Sequence, residues 1–109
     1  MTIGHITPAG TSVLDELGLE SGYVVKAKLA IRIQMTVSDL GLNQRDAADK
    51  MGISQAKLSL LSRGKLDGLS QAKLEDCLRR LGHDVVIQIG PRHEGAGVIR
   101  VEEKAHALA

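Results

Sequence analysis

Gln44, Gln55, Lys57, Ser59, Ser62, Arg63 and Lys65 lie in one short stretch of the chain, and each can donate a hydrogen bond. A glutamine amide can bond adenine through two atoms at once, and lysine or arginine can reach the acceptors of guanine. Hydroxyls and cations also bond phosphate oxygens. Residues 50–66 carry Lys50, Lys57, Arg63 and Lys65 and no Asp or Glu. That chemistry recognises an anionic polymer; it does not break bonds. No nucleophile–base pair appears elsewhere, so no enzyme is expected. His5, His83, His93 and His106 are scattered, with no Cys or carboxylate at ligand spacing, so neither a metal nor a cofactor is expected. His83 reads as a helix-end cap, Cys77 as a small core residue, and Glu75-Asp76 and Glu102-Glu103 as ordinary surface acids. "GPRHEGAG" lacks the order of a phosphate-binding loop.

The elements that must hold these residues follow from local signals. Ser21 can cap a first helix running from about Tyr23 to Leu40, with Val24, Ala27, Ile31 and Met35 as its apolar stripe and Gly41 as its end. Asn43 caps a second helix whose inward face is Ala47, Ala48 and Met51. Gly52 supplies a left-handed exit, Ile53 plugs the turn, and Ser54 caps a third helix to about Arg63. Leu58 and Leu61 face inward on it, which puts Ala56, Ser59, Leu60 and Arg63 on the opposite side, with Leu60 either within reach of a thymine methyl or part of a satellite core. Gly64 stops that helix. Ser70 caps a fourth, with the stripe Leu74, Leu78 and Leu81 and the terminator Gly82. "DVVIQI" (84–89) has the β-branched content of a strand, and "GVIRVE" (97–102) is a candidate hairpin partner. A helix, a tight glycine turn and a second capped helix make a helix-turn-helix, whose second helix enters a DNA major groove.

Bulk properties agree. The 109 residues suit one domain, and with Tyr23 as the only aromatic the core must be aliphatic. Net charge is +1, but residues 21–65 hold eight bases against three acids. Such a local cationic zone attracts phosphate. One cysteine, no signal-peptide pattern and no membrane-length run lead to the expectation of a cytoplasmic protein. Residues 1–20 carry Asp15, Glu16 and Glu20 without a base and read as a flexible arm; 21–82 read as the DNA-binding domain and 83–109 as a β extension and tail.

"LNQRDAADKMGISQAKLSLLSRGK" resembles the helix-turn-helix of the phage repressor and Cro (Xre-type) family. That pattern has Gln at the start of the first motif helix, Ala within it, Gly and an apolar residue in the turn, and Ser/Thr-Gln opening the recognition helix. Residues about 12 to 90 resemble, more closely, the HigA-like antitoxins of type II toxin–antitoxin operons. The resemblance is carried by "SVLDELGL", the long first helix, "SQAKLSLLSRGKLDGLS" and "LRRLGHDVVIQI". It implies that Gln44 contacts the backbone, that Gln55, Lys57 and Ser59 read bases, and that Ser62, Arg63 and Lys65 touch phosphate. Ala56 and Leu60 depart from it, standing where many members carry polar readers, and residues 91–109 extend past the usual end.

The fold expected is therefore mainly α: an Xre/Cro-like four-helix domain with a C-terminal β-strand or hairpin used in dimerisation. Gln44, Ser54, Gln55, Ala56, Lys57, Ser59, Leu60, Ser62, Arg63 and Lys65 are the expected DNA-binding residues, and Val85, Val86, Ile87 and Ile89 the dimer contact. The function expected is that of a repressor binding a palindromic, double-stranded operator as a homodimer, and of an antitoxin to a partner ribonuclease toxin. The alternatives are a stand-alone Xre-type regulator and a protein-interaction module on the same fold.

Overall fold

The computed structural model describes residues 21–104, so the expected arm 1–20 and residues 105–109 lie outside the described residues. Four helices follow one another: α1 (Ser21–Asp39), α2 (Gln44–Met51), α3 (Gln55–Ser62) and α4 (Gln71–Arg80). The starts of the last three are set by side chains. Asn43 accepts the amide of Asp46, Ser54 that of Lys57, and Ser70 that of Lys73, at 2.8, 3.1 and 3.0 Å. Each cap satisfies a backbone donor that has no partner within its helix, a contribution of about 1 kcal/mol. α1 differs from expectation, because it takes in Ser21 rather than starting after it.

All four helices end the same way. The amide of a terminal glycine (Gly41, Gly52, Gly64, Gly82) and that of the residue after it turn back to bond carbonyls of the last turn. For α2 these bonds run from Gly52 to Asp49 and from Ile53 to Ala48, at 3.2 and 3.0 Å. This closure needs the left-handed backbone that Gly52 adopts, at φ 71°.

The core takes side chains from every helix. Ile33, Met51, Leu61, Leu74 and Cys77 are fully buried, and Leu66 and Leu69 close it from the loop between α3 and α4. Ala47 and Ala48 are buried too, and their small side chains let α2 pack against both α3 and α4. α1 lies mainly along α4. No polar or charged residue is buried among the described residues. The Cys77 thiol sits in this apolar setting, and burial pushes its pKa up.

Two further expectations are not met within this chain. The inward face of α1 is Val25, Leu29, Ala30 and Ile33 with Val24, whereas Ile31 and Met35 are 56% and 47% exposed. Apolar residues occupy most sides of this helix, and Val25, Leu29 and Ile33 recur at the same four-residue step as Ala27, Ile31 and Met35. Packing against α4 chose between the two series. The second correction concerns the tail. Residues 84–89 and 97–102 run as irregular chain, and no strand or hairpin forms among the described residues. A strand needs a neighbour's row of amides and carbonyls, and within one chain these two segments do not supply it to each other. The tail is anchored at its two ends instead. Val85 and Val101 rest on the core, and Arg32 of α1 pairs with Glu103.

Candidate nucleic-acid interface

α2 and α3 meet across Gly52, Ile53 and Ser54, and Ile53 is half-buried against the core. The turn is gripped from α4. Lys73 donates from Nζ to the Gly52 carbonyl at 3.3 Å. The Arg80 guanidinium lies over Gly52 so closely that a Cβ there would sit 3.1 Å from its nearest nitrogen. Asp76 holds both cations, at 2.8 Å to Arg80 and 3.6 Å to Lys73, and binds Arg79 at 2.8 Å. The hydrogen bond from Arg80, aided by the nearby positive charges, lowers the Asp76 pKa below its ordinary value of 3.8. Sequence reasoning had set Asp76 aside as a surface acid. The signal available was its position three or four residues from Lys73, Arg79 and Arg80 on one helix. A bridge across to Gly52 could not be read from that spacing.

The gripped turn presents α3 with its inner side filled and its outer side open. Leu58 and Leu61 are buried, while Gln55, Ala56, Lys57, Ser62 and Arg63 are exposed. Ser59 and Leu60, expected on the outer surface, are only half exposed. Several of the polar groups are already engaged locally. The Ser54 hydroxyl accepts the Lys57 amide as the helix cap, Ser62 donates its hydroxyl to the Leu58 carbonyl at 3.0 Å, and Arg63 leans on the Ser59 carbonyl at 3.4 Å. Gln44 opens α2 exposed, and with Ser62 and Leu58 it lines an open cleft of about 300 Å³ between α1, α2 and α3. Gln34 of α1, also on this cleft, donates to the Leu61 carbonyl at 3.2 Å and so ties the end of α3 to α1.

The electrostatics of this face are simple. Arg45, Lys50, Lys57, Arg63 and Lys65 pair with no carboxylate among the described residues. α3 itself has no acid in its first turn or beyond. No group of residues that could hold a metal ion occurs among the described residues. His83, expected to cap α4 with its ring, reaches across to α1, where its Nε2 meets the Thr36 hydroxyl at 2.7 Å. Its backbone amide makes the capping bond to Leu78. The dimer residues differ among themselves: Val85 is half-buried on the core, while Val86, Ile87 and Ile89 are 76%, 78% and 92% exposed. No helix among the described residues is long and apolar enough to cross a membrane.

A family model described as a helix-turn-helix domain matches residues 13–90. No curated protein and no solved structure matches the chain.

Proposed function

The chain belongs to the helix-turn-helix domain family, and from that premise we propose that it is a sequence-specific DNA-binding repressor whose α3 enters the major groove of a palindromic operator. One observation carries this reading above the others. α3 follows a capped and gripped turn, leaves Gln55, Ala56 and Lys57 exposed with Arg63 at its C-cap, and neither it nor the loop as far as Lys65 carries an acid. Gln55 and Lys57 at its first turn are the base readers, with Ser59, Leu60 and Ala56 in the groove wall. Gln44, Ser54, Arg63 and Lys65 meet the phosphates, and Ser62 joins them by turning its hydroxyl away from the Leu58 carbonyl.

A single helix-turn-helix covers few base pairs, so the repressor acts as a homodimer with half-site centres roughly 10 bp apart or a multiple of it. The tail supports this. Val86, Ile87 and Ile89 leave apolar side chains and unpaired backbone groups on the surface, and the same run from a second copy would supply the missing ladder. The resemblance to HigA-like antitoxins, carried by "SQAKLSLLSRGKLDGLS" and its surroundings, extends the reading to an antitoxin that neutralises a ribonuclease toxin in the cytoplasm.

Duplexes selected in vitro from random sequence test the first part. Enrichment of a two-fold symmetric site is expected. The double variant Lys57→Ala with Arg63→Ala should weaken binding on the order of a hundredfold, reduce the salt slope by about one through Arg63, and relax the preferred sequence through Lys57. No enrichment, or an unchanged slope in the double variant, overturns the reading. Sedimentation should show a dimer at micromolar concentration, and the product of the adjacent gene should co-purify with the chain. Its failure to do so removes the antitoxin role and leaves the regulator.

A further inference from the structure

The loop after α3 is not alone. Tyr23, on the first turn of α1, brings its hydroxyl to 3.9 Å from where a Cβ on Gly64 would stand. Lys26, one turn later, donates from Nζ to the Leu66 carbonyl at 3.5 Å. The start of α1 therefore lies against the segment that carries Arg63 and Lys65, some forty residues away in sequence. Neither side chain belongs to the helix-turn-helix motif, and nothing about their spacing marked them.

Three properties of this cluster go together. Lys26, Arg63 and Lys65 are cationic, and none forms an ion pair among the described residues. Asp67, the acid nearest to Arg63 and Lys65 along the chain, pairs with none of the three. Tyr23 is the only aromatic residue, yet it stays half exposed, and its hydroxyl has no protein partner among the described residues. A neutral donor at Gly64, between Arg63 and Lys65 in the chain, and a lysine that reaches the same loop at Leu66 supply the groups of a phosphate contact: point charges for the diester and a hydroxyl to bond one of its oxygens.

We infer that Tyr23 and Lys26 extend the DNA interface beyond the motif, binding the phosphodiester backbone of the strand that runs past the end of α3. This rests on the DNA-binding reading above. The two side chains divide the work. Lys26 contributes charge and displaces a counterion; Tyr23 contributes a hydrogen bond and displaces none. Neither reads a base, because both sit at the end of α3 remote from Gln55.

The test uses the full chain and a duplex obtained by the selection described above, with affinity measured across a salt series. Lys26→Ala should lower affinity about tenfold and reduce the salt slope by about one, while the preferred sequence stays the same. Lys26→Arg should restore the slope. Tyr23→Phe should lower affinity a few-fold with the slope unchanged. Losing the bond to Leu66 could loosen the loop, but that alone would lower affinity and thermal stability without changing the slope. A Lys26→Ala slope equal to that of the unaltered protein overturns the inference, as does full affinity in Tyr23→Phe. If the unaltered protein binds no duplex, the parent reading has failed. If it binds, and the Lys57→Ala, Arg63→Ala variant changes the slope but Lys26→Ala does not, only this extension has failed.

Discussion

The cations of α3 and its loop and those of α4 make opposite use of the same chemistry. Lys57, Arg63 and Lys65 stand without a carboxylate, whereas Lys73, Arg79 and Arg80 all converge on Asp76. Three cations on one carboxylate still leave a positive excess, so the difference is not net charge. It is commitment. A side chain whose directional bonds are spent on Asp76 and Gly52 fixes geometry, and here it fixes the turn from which α3 projects. An uncommitted one keeps its charge and its donors for a partner that arrives later. Ion pairs this open to water and salt contribute little to stability. What the α4 cluster supplies is therefore placement more than energy.

The comparison can be broken or sharpened by substitution. The largest effect should come from Leu61→Ala, which empties the core that both regions share. It should cost about 2–5 kcal/mol in urea denaturation. A loss well under 1 kcal/mol would mean that α3 is not anchored as described. Gly52→Ala comes next, because its left-handed backbone disfavours a side chain by about 1–2 kcal/mol and the new Cβ would push on the Arg80 guanidinium. DNA affinity should fall with it if the α4 grip sets the angle of α3. A stable variant with full affinity would separate the grip from function.

Asp76→Asn addresses the grip by pH. Because the folded-state pKa of Asp76 is lowered, its contribution is present above the ordinary carboxylate value and is lost as pH falls through the lowered one. The variant should therefore melt below the unaltered protein at neutral pH, and the gap should close well below pH 3.8. A gap that is constant with pH would assign the loss to something other than this carboxylate's charge. The smallest effect is expected of Arg79→Ala with Arg100→Ala, which removes two paired, exposed cations. Stability should stay within about 0.5 kcal/mol and the DNA salt slope should not move. A slope that drops as far as for Lys57→Ala with Arg63→Ala would erase the distinction between the two populations.

How much of this was legible beforehand depends on the distance over which each feature is determined. The helix-turn-helix itself was readable, because Asn43, Gly52 and Ser54 act on amides and carbonyls within a few residues of themselves. The inner side of α3 was readable for a related reason, since Leu58 and Leu61 lie one turn apart on the same side of a short helix. The half-burial of Ser59 was not, and that of Leu60 was only one of two readings, because both depend on what packs beside α3. The strand expected in the tail does not form within one chain for the same reason. β-branched residues favour extended chain, but a ladder requires a second strand, and one chain does not provide it here.

The sequence by itself determined where α2, α3 and α4 start and where all four helices stop. Caps and terminal glycines satisfy backbone groups within one turn, so no distant residue takes part in them. Tertiary structure alone decided which series of α1 faces inward, how Lys73 and Arg80 reach Gly52, and that Tyr23 and Lys26 join Arg63 and Lys65 at the end of α3. Each of these is a choice among faces and neighbours whose local spacings are equivalent, and only the packing of whole helices against one another separates them.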